Sequence, residues 1–430
     1  MSFRPIAYNL VRLIMASIHT TPRGVDRIDF GYLSWLLENW PADVVGVMPT
    51  AIGMRIFPRE QVQRGVGRLV ELWQEDVDAD HDPAFARLVV HLGGQPLPPL
   101  PIKTRGFLPD FTGLRRMARL TLAEGISFGK PAADMPKDAI YLDVGHYGLT
   151  FPGAFRWRQH RPDVAPVFLI HDAIPLELPH MVAEETVRAH HKLMGIVAEQ
   201  ARAIITPTAA AGEAVNQMLG AQGARQVPVY PNPLPIDDLF SRSVAPFPAL
   251  EPYTYFTICG AVEPRKNHGV LFEVWRRLVS ERGDKAPWLA ILGSPGHQSA
   301  EILAAMHSEP ALRAKVVLIS GMASPALARV MAGSRAVLMP SFAEGFGLPP
   351  VEALALGVPA LVSDIPAHRE GAGEYGCFLP ANDASAWHSA ITALLDSEAS
   401  ARERARVATF VPRRWPDHMA RVADILSGID

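Results

Sequence analysis

At 430 residues, 48% of them hydrophobic and 20% charged, with a formal net charge of −3, the chain exceeds what one core usually serves and reads as two domains of an ordinary globular protein. That balance excludes a general nucleic-acid binder and a disordered chain, and leaves the substrate open. Two cysteines, Cys259 and Cys377, are too few for a disulfide framework or a Cys-rich zinc site, so both are read as buried thiols in a reducing compartment.

In chain order, the apolar segment AYNLVRLIMASIH is interrupted by Arg12 and followed by no small-residue cleavage site, so it is read as a buried strand rather than a signal peptide. No uncharged apolar run reaches the roughly 18 residues of a membrane span. The runs DVVGVMP, AIYLDVGH, VFLIHD, AIITPT and VPVYPN read as further strands, with helices near 184–200 and 208–220.

The stretch 53–137 breaks this alternation and is taken as an irregular insert. Within it the triplet Asp76, Asp78 and Asp80 follows a helical run rather than a strand, and is read as a solvated loop instead of a metal-holding Asp-x-Asp. FTGLRRMARLTL places Arg115, Arg116 and Arg119 on one face of a basic helix over 111–122. Its functional reading is contact with an anionic membrane surface or a lipid-phosphate acceptor, weighed against a solvated helix.

Prolines mark a linker near 231–252. Beyond it YFTICG, WLAILG, KVVLIS, AVLMPS and PALVSD alternate with helices near 267–282, 298–308, 324–332 and 349–357, the rhythm of a doubly wound α/β domain. The tail PDHMARVADIL has helical spacing. These divisions give domains at 1–235 and 250–410 and a terminal segment at 411–430.

Ligands of open parallel sheets bind beyond the strand C-termini. After YFTICG, Arg265 and Lys266 precede a helix that Asn267 could cap; the cations and free N–H groups suit a diphosphate. After AVLMPS come Glu344, Gly345, Phe346, Gly347 and Leu348, with Pro349 and Pro350 suited to a first helical turn. Glu352, eight residues past Glu344, is a carboxylate in an apolar helix and needs donors, which ribose hydroxyls supply. His171 with Asp172, and His146, follow strands in the first half; His180, His190 and His191 are read as solvated.

GAVEPRKNHGVLFEVW followed by PSFAEGFGLPPVEALALGVPALVSD resembles the donor domain of GT-B glycosyltransferases, specifically the large retaining family 4, over about 255–395. The resemblance implies two facing Rossmann-like domains. It assigns Arg265 and Lys266 to the donor diphosphate, Glu344 to the transferred sugar and Glu352 to ribose. TTPRGVDRIDFGYLSWLL is similar to the family's first loop and nominates Gly24 near the phosphates, with Arg23 and Arg27 left open. VFLIHDAIPLELPH resembles a His-Asp-x-x-Pro segment of exopolysaccharide transferases, placing His171 and Asp172 at the cleft, and the tail resembles a helix that returns to the first domain.

The function so implied is retaining transfer from a nucleotide sugar to a saccharide acceptor, lipid-linked, in exopolysaccharide or lipopolysaccharide assembly at the cytoplasmic membrane face. The catalytic set would be Glu344, Lys266, Arg265 and His171, with neither cofactor nor metal, the cations doing a metal's work. Two other readings stand beside it. A nucleotide-dependent oxidoreductase is disfavoured because neither GAVEPRKN nor GSPGHQ completes G-x-G-x-x-G. A degenerate transferase that only binds sugars is disfavoured because all four donor-site residues are present.

Overall fold

The computed structural model describes residues 3–19, 21–50, 53–73, 78–95, 115, 117–118, 129–151, 153–221, 223 and 226–429. Strands β1 (Ile6–Asn9), β5 (Ile140–Asp143), β6 (Ala165–Leu169) and β7 (Ala203–Thr206) are buried at every position, as parallel strands covered on both faces must be. With β2 (Val44–Thr50), β3 (Gly53–Phe57), β4 (Lys130–Pro131) and β8 (Val229–Pro231) they form one sheet in the order β4-β3-β2-β1-β5-β6-β7-β8. Among the described residues, only the β2–β3 and β3–β4 pairings are antiparallel.

A second sheet contains β9 (Tyr255–Cys259), β10 (Trp288–Leu292), β11 (Val316–Ile319), β12 (Val337–Met339), β13 (Ala360–Ser363) and β14 (Gly376–Leu379). All its pairings are parallel, in the order β11-β10-β9-β12-β13-β14. This is the 3-2-1-4-5-6 arrangement of a doubly wound nucleotide-binding sheet, and its order reverses between β9 and β12. The strands and crossover helices expected for this half are all present; β14, half-buried at the sheet edge, was not anticipated.

The first half departs from the sequence reading in two places. The N-terminal apolar segment is not one strand: β1 stops at Asn9, whose Oδ1 accepts from Val11 N (3.1 Å), and helix α1 (Val11–Ala16) follows. An Asx turn thus diverts a segment that hydropathy alone would extend. Nor is 53–137 wholly irregular, because β3 joins the sheet and helices α3 (Arg59–Trp73) and α4 (Pro83–Leu92) follow it. Of the basic 111–122 segment only Arg115, Met117 and Ala118 are among the described residues, and Asp76 lies outside them.

Helix α2 (Gly24–Asn39) receives the C-terminal helix Trp415–Ser427, where His418 Nε2 meets the Tyr32 hydroxyl (2.6 Å). The linker and the segment before this helix both cross between the halves, and these two crossings bond to each other through Ile236 N and the Arg413 carbonyl (2.9 Å). No helix among the described residues is long and apolar enough to cross a membrane.

Candidate functional site

The site forms where the second sheet changes direction, because loops after β9 and β12 leave there on opposite faces and open a crevice between them. Pro264–Lys266 makes one 3-10 turn after β9 and buries Lys266. The loop after β12 ends at Gly347, whose φ of 85° admits glycine without strain and turns the chain into the helix Leu348–Ala355. Pro349 and Pro350 occupy its first turn, as expected.

Both loops deliver charge to one point. Glu344 Oε1 accepts from Lys266 Nζ (2.5 Å) and Ser341 Oγ (2.7 Å), and Glu344 Oε2 accepts from Arg265 Nη1 (3.0 Å). Arg265 Nε also donates to Glu263 (3.1 Å). Burial opposes ionisation of Glu344, yet Lys266 and Arg265 outweigh it and hold the carboxyl far below the usual range. The Lys266 ammonium is itself lowered by burial, with Glu344 pulling it back up. Glu344 therefore neutralises the cation pair in this state, whereas the resemblance assigned it to a sugar.

Glu352 is 3% exposed and meets Arg27 Nη2 of the first half (2.5 Å). Burial raises its pKa and Arg27 opposes the rise. Arg27, left open by the sequence, is thus the guest on the carboxylate assigned to ribose. Gly24 lies against the same helix: a Cβ there would stand 3.3 Å from Leu348 Cδ1. A cavity of about 360 Å³ opens beside Arg27, walled by Trp35, Asp237, Ser324 and Trp415.

The first half contributes the opposite wall. A Cβ on Gly345 would overlap the His171 carbonyl oxygen, and Thr208 Oγ1 donates to the Gly345 carbonyl (3.0 Å). Gly345 is therefore approached by protein backbone, not only open to a ligand. Glu370 accepts from Ala209 N (2.6 Å) and Ala210 N (3.0 Å), so a carboxylate of the second half caps a helix of the first. Asp172 faces Arg265 closely enough to stabilise its charge. Its Oδ1 also accepts from Ile174 N (3.1 Å).

His171 donates through Nε2 to the Val144 carbonyl (2.8 Å), and burial with the Arg12 charge lowers its pKa to about 3. It is neutral, with Nδ1 left as an acceptor. His146, at φ 63°, bonds the Leu169 carbonyl, and its N–H donates to Asp143 Oδ1 (2.8 Å). The two imidazoles lie 5.2 Å apart.

Three sequence expectations need correction here. Asn267 does not cap its helix; at φ 53° it donates through Nδ2 to the Pro340 (3.1 Å) and Ala381 (2.8 Å) carbonyls, tying three loops together. His190 is half-buried rather than solvated, bonding the Asp172 carbonyl (3.1 Å). Cys377 is half-buried, while Cys259 is buried.

Residues without a motif complete the site. His368 is buried beside Gly347, and its charge interaction with Glu344 raises the pKa that burial lowers. Beneath the first-half loops, Asp29 accepts from the Tyr8 hydroxyl (2.5 Å) and burial lifts its pKa to about 8. Asp143 rises to about 6 for the same reason. Arg12 joins this cluster through Asp26 (2.8 Å). Among the described residues, no group of three or more His, Cys, Asp or Glu side chains is placed to hold a metal ion.

Comparison with known proteins follows this geometry. Residues 244–409 match the model of the family glycosyl transferases group 1. The chain is 28% identical over 227 residues to the serotype-specific mannosyltransferase WbdA of Escherichia coli, covering 49% of this chain and 27% of that protein. The match thus spans about a quarter of that relative. Identity to the D-inositol 3-phosphate glycosyltransferase of Stackebrandtia nassauensis is 24%, over 95% of this chain and 88% of that one. The structure of Anabaena Alr3699/HepE in complex with UDP and glucose aligns with a TM-score of 0.60 at 12% identity, over 99% of this chain and 100% of the other. Sucrose-phosphate synthase from Thermosynechococcus elongatus aligns at 0.58 and 15% identity, over 99% and 98%. Residues 244–409 therefore resemble the glycosyl transferases group 1 family, in a chain with the GT-B fold.

Proposed function

We propose that this protein is a retaining, metal-independent glycosyltransferase that moves a sugar from a nucleotide-sugar donor to a saccharide acceptor. The observation that carries this reading is the buried Arg265–Glu344–Lys266 cluster at the switch point of a doubly wound sheet. A donor diphosphate entering there competes with Glu344 for both cations. Displaced, Glu344 turns to the sugar hydroxyls, and Glu352 exchanges Arg27 for ribose. The segment 250–410 then holds the donor, 1–235 the acceptor, and 411–430 joins them.

As the glycosidic bond breaks, negative charge grows on the departing diphosphate, where Arg265, Lys266 and the backbone N–H groups of Gly345, Phe346, Gly347 and Leu348 offer fixed positive potential. That arrangement supplies electrostatically what a divalent cation supplies elsewhere. The acceptor hydroxyl attacks from the same face and passes its proton to the leaving phosphate. Neutral His171, with Asp172 and His146 on the acceptor side, orients the acceptor through its free Nδ1. One structural neighbour holds UDP-glucose, and two relatives are O-antigen chain mannosyltransferases. These support a hexose donor and a surface-polysaccharide acceptor. In this proposal the acceptor is also lipid-linked and met at the cytoplasmic membrane face, with 111–122 as the candidate membrane contact.

The test is transfer from a panel of UDP-, GDP- and ADP-hexoses, with and without EDTA. Turnover should survive EDTA, and Lys266→Ala and Glu344→Ala should each lower kcat by roughly a hundredfold or more, the scale of a lost charge-stabilising group. Near-normal transfer by both variants would overturn the assignment.

A further inference from the structure

Trp73 belongs to the first half, its Nε1 donating to the Ala16 carbonyl (3.3 Å), whereas residues 80–87 make contacts with the second. Helix α4 lies against β11, and three side chains of this region reach partners across the divide. Asp80 pairs with Arg329 (2.9 Å), and Arg87 Nη2 donates to the Ser320 carbonyl (2.6 Å). The Phe85 ring stacks on Phe247 at 3.6 Å between centroids, and the Arg329 guanidinium lies over Phe247 at 3.9 Å.

Asp82, 2% exposed, is the centre of this contact. Its Oδ1 accepts from Ala84 N (2.7 Å) and Phe85 N (2.9 Å), the N-cap of α4. Its Oδ2 accepts from Ala323 N (2.8 Å), immediately before the helix Ser324–Gly333. One carboxylate therefore receives the positive ends of two helices belonging to different halves. Asp82 and Arg87 hold opposite ends of the loop 320–324, and Ser324 walls the cavity beside Arg27.

We propose that Asp82 and Arg87 are positioning residues for donor binding: α4 is a strap from the first half that clamps the loop 320–324, and so fixes that wall of the cavity. The link to the donor rests on the transferase reading; the clamp itself does not.

The discriminating variant is Asp82→Asn. Asparagine retains one carbonyl oxygen, enough to cap α4, but puts an N–H₂ group where Ala323 N needs an acceptor. Unfolding should stay cooperative, amide exchange at Ala323 should accelerate about tenfold for the loss of one charge-assisted bond, and the donor KM should rise roughly three- to tenfold with kcat near wild type. Arg87→Ala, on the surface, should move KM in the same direction. Unchanged exchange at Ala323, exchange raised evenly over both sheets, or an unmoved KM despite a loosened loop would each overturn the proposal. If the wild-type chain transfers no sugar, the transferase reading fails, and exchange at Ala323 still decides whether the clamp exists.

Discussion

A carboxylate held between two cations is costly to remove without replacing it. With Glu344 neutralised, Lys266 would sit buried and uncompensated while Arg265 kept Glu263 and Asp172, and breaking a buried pair typically costs about 3–5 kcal/mol. Glu344→Gln should therefore lower the melting temperature of the unliganded protein. A nucleoside diphosphate restores the missing negative charge, so its addition should raise the variant's melting temperature more than the wild type's; equal shifts would show that the diphosphate lands elsewhere. Asp29 offers a second test at this scale. Its folded pKa of about 8 exceeds the roughly 3.9 of an unfolded aspartate, so the folded state holds the proton more tightly. Its contribution to stability is complete below pH ~4 and drains away as pH rises through the folded value near 8. Asp29→Asn, which cannot ionise, should gain stability over the wild type on going from pH 5 to pH 8 in urea melts. Parallel curves would mean that Asp29 ionises freely.

Among elements, the joint between α2 and the C-terminal helix depends on one absent side chain. A Cβ on Gly31 would overlap the indole of Trp415, which meets Tyr32 edge-on at 5.9 Å between centroids. Gly31→Ala should cost about 1–3 kcal/mol as an overpacking change, measured by thermal unfolding. Adding Trp415→Ala should remove most of that penalty; fully additive losses would place the strain elsewhere. The legibility of the elements follows the same logic of local against distant causes. The second half could be read almost strand by strand, because short buried runs bounded by Gly and Pro leave few alternatives, and its two motifs fell in loops that the strand order itself brings together. Asn9 ended a strand through a turn that hydropathy does not register. Asn267 had the residue type and position of a cap, yet two carbonyls from distant loops claimed its amide. Arg27 and His368 carried no local signal, and Asp82 showed only the Asp-Pro of a helix start, since each acquires its distant partner only when segments far apart in sequence are packed.

At the scale of the whole molecule, contacts between the halves are as specific as those within them. Arg27 on Glu352, Thr208 on Gly345 and Glu370 on Ala209 and Ala210 all join the two sheets' loop ends. One hydrophobic cluster includes residues of both halves, among them Phe85 and Ile319. The two chain crossings lie side by side, coupled at Ile236 and Arg413 and again where His418 Nδ1 meets the Pro233 carbonyl (2.9 Å). Any swing about the seam they make would first have to part the α4 contacts, Asp80 with Arg329 and Asp82 with Ala323, as well as the loop-end ones. Groups near the seam, such as Tyr32 and His418, travel little in such a swing, whereas groups at the far lip of the opening travel most. The sequence around 232–236 and 413–418 would be the axis of that swing.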